Sequence, residues 1–186
     1  MLTQAYPHYR VEDDPNIAFC AMLFAKEMHA EHFRKYTKTP YTEHLAEVAG
    51  IVACVTQEPE IIAVAWLHDC VEDQVVTHAV LLARFGRVVA DGVMMLSDME
   101  TGNRAARKAA ARVRLAGSPA WIQTIKVADI ISNTSSIVQH DPKFAKVYLE
   151  EKRLLLDVLV MADRRLLALA RATADIVPTS ILSPPC

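Results

Sequence analysis

Glycine is scarce, at five in 186 residues, and the alternating β-branched runs that mark strands are absent, so the chain reads as all-α. Cysteine is too sparse and too scattered for a staple: Cys20, Cys54, Cys70 and Cys186 contain no C-x-x-C pair. That argues against a zinc knuckle or a disulfide framework and fits reduced thiols in a cytoplasmic setting. No apolar run approaches the ~18 residues needed to cross a bilayer, and the N-terminus MLTQAYPHYRVEDD lacks an apolar h-region, so neither insertion nor secretion is expected. Charge of one sign is lacking as well. A formal net charge of -2 sets up no global field for nucleic acid or an anionic membrane, and any anion recognition must be local.

What is present is an ordinary core. A hydrophobic fraction of 52% with 23% charged residues excludes disorder for the body, and the length suits one compact domain. The expected organisation is an N-terminal segment over 1–14, one domain over 15–174 and a proline-rich tail over 175–186. Within the domain, Asp14-Pro15 opens a helix reaching about Phe33. The polar linker RKYTKTP follows, then Thr42 caps a helix to about Thr56, and Glu58-Pro59 starts a third. Thr77 caps a short helix closed by Gly86, and another runs from about Arg87 to Leu96. After the break SDMETGN, a basic helix spans about Arg104 to Leu115, and Ser118-Pro119 starts a helix to about Gln139. Asp141-Pro142 begins a last helical region expected to bend or break near Ala162.

The densest chemistry is WLHDCVED, which sets His68, Asp69, Glu72 and Asp73 within six residues at the end of an apolar segment. On a helix, His68 and Glu72 would stack on one stripe and Asp69 and Asp73 on the next. His44 and Asp129 are two more candidate ligands, each inside an apolar helical stretch. A buried aspartate has to be paired, hydrogen-bonded or metal-bound, and here the alternatives are a pairing with Lys126 or a place on a metal. For His44 the alternative is a satisfied core histidine. Two histidines and two carboxylates together suit a divalent ion such as manganese, iron or zinc and leave positions for water and substrate oxygens.

The order H…HD…D, with H-D-x-x-E-D in the middle, resembles the HD-domain hydrolases, specifically small alarmone hydrolases of the RelA/SpoT type such as the metazoan SpoT homologs. The family's H-x-G-Q-x-R-K, then P-Y and a histidine, is matched by His29, Arg34-Lys35, Pro40-Tyr41 and His44. Its L-L-H-D-x-x-E-D and following F-G are matched by WLHDCVED and ARFG, and its K-L-A-D-x-x-x-N by Lys126 through Asn133. Agreement runs from about residue 15 to residue 155, which leaves no room for a nucleotide-synthesising domain and suggests a stand-alone hydrolase.

The resemblance implies a single HD-domain helical bundle with a metal site in its core cleft. It implies Mn2+, or another divalent metal, on His44, His68, Asp69 and Asp129, with Glu72 and Asp73 as the catalytic pair. The reaction implied is hydrolysis of the 3′-pyrophosphate of (p)ppGpp, or of the related (p)ppApp, giving GDP or GTP, or their adenine counterparts, and pyrophosphate. Arg34, Lys35, Arg104, Asn133 and Tyr148 would contact the substrate. The partner is a small nucleotide, with no nucleic acid or membrane, and the C-terminal helices could form a homodimer seam. Two departures stand out. Glu31-His32 replaces the family's Gly-Gln, and ADIISNTS replaces A-D-R-L-H-N-M-R, removing two arginines near the substrate. The chemistry is therefore better supported than guanine specificity. Another HD-domain phosphohydrolase, acting as an NADPH phosphatase or a 5′-nucleotidase, and a non-catalytic nucleotide-sensing module are the rival readings.

Overall fold

In the computed structural model, which describes residues 16–73 and 76–175, eight helices account for the regular structure. They are α1 (Ile17–Met28), α2 (Thr42–Ala53), α3 (Pro59–Leu67), α4 (His78–Leu96), α5 (Arg104–Ala116), α6 (Ala120–His140), α7 (Pro142–Leu156) and α8 (Arg164–Ala174). The all-α expectation holds. Among the described residues no helix is long and apolar enough to cross a membrane. The expected segment 1–14, the Asp14-Pro15 start and residues 176–186 lie outside the described residues.

Two helices organise the bundle. The apolar α3 packs against α1 and α2, and α6 packs against α2 and α8. From Ile122 to Ile130 every residue of α6 is buried, so this stretch has no solvent face. Burial all round identifies the central helix and carries Lys126 and Asp129 into the interior with the isoleucines.

Local signals account for most boundaries. Thr77 caps α4, its hydroxyl accepting from the Val80 amide, and Gly86 breaks the helix at φ 77° and ψ 178°. A side chain there would be strained, so the two successive helices expected on either side of Gly86 are found. Asn103 and Asp163 cap α5 and α8, and Asp141 caps α7 ahead of Pro142. The expected interruption near Ala162 falls between Leu156 and Arg164.

Three expectations need correction. First, α1 stops at Met28 instead of Phe33, because the residues beyond it fold back. The Arg34 amide donates to Thr39 O at 2.9 Å and the Tyr41 amide to His32 O at 2.8 Å, which ties the basic linker into a closed loop. Second, α2 starts at Thr42, with Tyr41 at the cap position and no side-chain cap, and ends at Ala53. Its last amides turn to carbonyls three residues back, Cys54 to Ile51 and Val55 to Val52, which tightens the end. Third, although α3 ends at Leu67, beside the H-D cluster as expected, residues 68–73 form consecutive turns, so the helix face considered for His68, Asp69, Glu72 and Asp73 does not form.

Candidate metal centre

The turns after α3 split the H-D-x-x-E-D group. His68 and Asp69 point inward, Glu72 accepts from the Asp98 amide at 3.1 Å, and Asp73 lies 3.8 Å from His29 Nδ1. Four convergent side chains on a helix would have been a different arrangement; here only the histidine and the first aspartate reach the buried centre.

At that centre, His44 from α2, His68 from the end of α3 and Asp129 from α6 each offer an atom within 4.8 Å of the others, and all three are buried. Asp69 Oδ2 adjoins both rings, 3.5 Å from His44 Nε2 and 3.1 Å from His68 Nε2. Asp129 Oδ1 lies 3.5 Å and 3.9 Å from the same two nitrogens. Yet neither Nε2 atom makes a hydrogen bond. A buried polar atom left so is costly, and two of them aimed at one point between two carboxylates fit a cation in the gap.

The far side of each ring supports that fit. His68 Nδ1 sits 2.8 Å from Ala65 O, which can only accept, so Nδ1 carries the proton. His44 Nδ1 sits 2.8 Å from Ser132 Oγ, whose own hydrogen goes to Glu47 Oε2 at 2.7 Å. The serine oxygen is thereby left to accept from His44. Both rings are held with Nδ1–H engaged outward and Nε2 facing the centre, as a ligating imidazole requires.

Charge is arranged around the same point. Lys126 Nζ lies 2.9 Å from Asp129 Oδ2, and Asn133 Nδ2 donates to Oδ1 at 2.6 Å. The pairing with Lys126 and a place in the ligand cluster thus coexist, one on each carboxylate oxygen. Burial opposes ionisation of Asp129 and Asp69, but Lys126 and His68 respectively outweigh it and hold both below the usual carboxylate range. Without an ion, burial would discharge His68, whereas Asp69 and then Asp129 hold its pKa up to about 9. Tyr41 donates its hydroxyl to Asp69 Oδ2 at 2.6 Å. Glu72 and Asp73 both sit above the ordinary carboxylate pKa, chiefly because burial penalises their charge.

The remaining sequence-predicted residues lie at different removes. Arg34 Nη2 donates to Asn133 Oδ1 at 3.0 Å, so the chain Arg34–Asn133–Asp129 links the basic loop to the centre. An open cleft of about 230 Å3, bordered by Arg34, Thr39, Glu47, Ser132 and His140, lies beside that chain. Lys35 is exposed and sits 4.8 Å over the Tyr36 ring. Arg104 forks onto Glu151 at 2.7 and 2.8 Å. Tyr148 is buried, its hydroxyl without a hydrogen bond and its ring 5.0 Å from the Lys152 ammonium. Tyr41, known from the sequence only as part of a matched motif, and Ser132 and Glu47, to which the sequence pattern gives no role, hold the candidate ligands in place.

Comparison with known proteins identifies the family and the fold. The HD domain family matches residues 21–117, just over half of the chain, and the match ends before α6 supplies Asp129. The guanosine-3′,5′-bis(diphosphate) 3′-pyrophosphohydrolase of Aquifex aeolicus (strain VF5) is 30% identical over 136 residues, which are 72% of this chain and 18% of that protein. A probable chloroplastic GTP diphosphokinase, RSH3 of Arabidopsis thaliana, is 28% identical over 162 residues, 81% of this chain and 22% of its own length. The chain thus spans about a fifth of the curated relatives it matches. The solved structure of a metazoan ortholog of SpoT that hydrolyzes ppGpp has the same fold, with a TM-score of 0.77, 24% identity, and coverage of 84% of this chain and 93% of that one. The crystal structure of lmo0812 from Listeria monocytogenes EGD-e superimposes with a TM-score of 0.63 at 23% identity, over 75% and 96% of the two chains. The expected kinship with HD hydrolases of the RelA/SpoT type is borne out, and the chain belongs to the HD-domain family.

Proposed function

We propose that this chain hydrolyses the 3′-pyrophosphate of a guanine or adenine alarmone, (p)ppGpp or (p)ppApp, releasing pyrophosphate and a 5′-nucleotide, with manganese as the metal. The observation that carries the reading is the pair of buried His44 and His68 Nε2 atoms, unbonded and turned toward Asp69 and Asp129. A mixed set of two imidazoles and two carboxylates suits manganese, iron or zinc, and among these manganese is the ion that the family resemblance implies. The substrate class is supported by the names of the relatives, which are alarmone hydrolases or GTP diphosphokinases. The hydrolase unit is taken to run over 15–174.

His44, His68, Asp69 and Asp129 would hold the ion, which when bound supplies Lewis-acid polarisation of a phosphoryl oxygen and a lower pKa for water. The rest falls to the chain. In the reaction a bond forms from a water oxygen to phosphorus, the bond from that phosphorus to the ribose 3′ oxygen breaks, and the 3′ oxygen takes up a proton. Glu72 and Asp73, whose burial raises their pKa, are the groups fitted to accept the proton from water and return it. Arg34, linked to the centre through Asn133, would grip the pyrophosphate with a charged fork, Lys35 would add positive charge, and Arg104 would join it on exchanging Glu151 for substrate. Asn133, through Arg34, and Tyr148, through its unbonded buried hydroxyl, would meet the nucleoside.

Two variants probe this arrangement. Arg34→Ala is expected to raise the substrate concentration needed for half-maximal rate by about 10–100-fold, the worth of a charge-assisted hydrogen bond. Steady-state kinetics read this, and an unchanged KM contradicts the pyrophosphate role. Ser132→Ala frees the His44 ring and is expected to weaken manganese binding by about 10–100-fold. Equilibrium dialysis measures it, and an affinity equal to the parent's would remove Ser132 from the account. The reaction itself is tested by offering Mn2+ with ppGpp, ppApp or NADPH in parallel. Pyrophosphate from either alarmone supports the proposal and ranks the bases; phosphate from NADPH alone replaces it with the phosphatase reading.

A further inference from the structure

A second group of ligand-type side chains lies outside the centre just described. His29, the residue that ends α1, His32 in the turn after it, and Asp73 in the turns after α3 each offer an atom within 4.8 Å of the others. The two rings face each other through the same atom, His29 Nδ1 to His32 Nδ1 at 3.0 Å, and Asp73 Oδ2 lies 3.8 Å from His29 Nδ1. The turn that places them is closed by the His32 amide donating to His29 O at 3.0 Å, which brings residues i and i+3 to one side.

We propose that His29, His32 and Asp73 form a second metal site, one that takes a zinc-class divalent cation through two imidazole nitrogens and one carboxylate oxygen. The geometry is close to what such an ion needs. Two nitrogens about 2.0–2.1 Å from one tetrahedral ion lie roughly 3.3 Å apart, so the 3.0 Å contact has to open by a few tenths of an ångström. Asp73 closes the remaining gap easily, because its side chain is 36% exposed and sits in a turn, whereas the His29 side chain is fully buried. The site is thus anchored on its inner side and open on its outer one.

On its far side His29 meets only a weak partner. Its Nε2 lies 3.5 Å from the buried Cys70 sulfur, so a proton moved from Nδ1 to Nε2 meets a weak acceptor there. On its flat side the ring stacks on Tyr41 at 5.2 Å, and Tyr41 donates its hydroxyl to Asp69. One tyrosine therefore forms the wall between the two clusters. Imidazole nitrogens favour zinc, cobalt, nickel or copper over magnesium and calcium, which sets the class of ion.

An ion here would occupy the Asp73 carboxylate that the proposed reaction uses for proton transfer, so filling this site would oppose turnover, and the assignment is read as bound metal instead. The full chain, stripped of metal, would be dialysed against buffered Zn2+ and bound zinc counted per chain. Two equivalents are expected for the parent, one for His32→Gln, one for Asp129→Asn and none for the double variant, with helical circular dichroism retained in each. His32→Gln leaves the first centre untouched, since His32 contributes nothing to it. Zinc binding that is the same in His32→Gln as in the parent overturns the second site and leaves an ordinary histidine–histidine hydrogen bond. Two equivalents in Asp129→Asn with one in His32→Gln would instead uphold this site while removing Asp129 from the first.

Discussion

Asp129→Asn is expected to lose tight manganese binding and at least about 10³-fold in turnover while remaining a folded helical protein. The figure follows from the several kcal/mol that a bound ion contributes to charge stabilisation, at about 1.4 kcal/mol per decade of rate. Asparagine is the informative replacement because it keeps the volume of the side chain. Alanine would in addition leave the Lys126 ammonium, 2.9 Å away, without the acceptor oxygen that asparagine still offers, and add a larger folding defect to the loss of a ligand. Metal content and rate measured on the same preparation decide the matter. Retention of both would show that Asp129 is held only by Lys126 and Asn133 and has no part in the centre.

Lys126→Met should be the most destabilising single change around the site. Lys126 is buried on α6, and although burial alone would lower its pKa, Asp129 first, then Asp98, Glu72 and Asp69, raise it well above that of an ordinary lysine. Removing one partner of a buried ion pair costs about 3–5 kcal/mol, because the other charge is left uncompensated. In a domain of this size that corresponds to a fall in Tm of roughly 6–20 °C. Because the uncompensated charge is negative and lies at the ligand cluster, manganese should restore more stability to the variant than it adds to the parent. Thermal melts with a chelator and with Mn2+ test both parts. A shift below about 2 °C in chelator would contradict the view that Lys126 balances the buried carboxylates.

Most of the fold was legible because its signals are local. Thr77, Gly86, Asp141-Pro142 and the apolar run after Ser118-Pro119 act within a few residues, and the helices begin and end beside them. The candidate ligands were legible for a different reason: a histidine and an aspartate surrounded by isoleucine, valine and alanine have no inexpensive role in a core. What escaped the sequence depends on contacts made at a distance. His44 finds Ser132 across 88 positions, and Arg34 finds Asn133 across 99, so neither partner could be picked out from spacing. The stripe expected over residues 68–73 failed because the chain leaves the helix at Leu67, where the inward pull on His68 and Asp69 and the turn to Asp98 and His29 divide the carboxylates between three neighbourhoods. Tertiary contacts overrode the helical period there.

Under the proposed function, a metal held by His44, His68, Asp69 and Asp129 serves hydrolysis at the 3′ position of an alarmone. Its most direct test is to strip the purified chain of metal, restore Mn2+, and measure pyrophosphate and 5′-nucleotide released from ppGpp and ppApp. One pyrophosphate per nucleotide product is expected, from at least one of the two, and only when the ion is present. Turnover that persists without metal, release of single phosphates in place of pyrophosphate, or no product from either alarmone at saturating Mn2+ would contradict it.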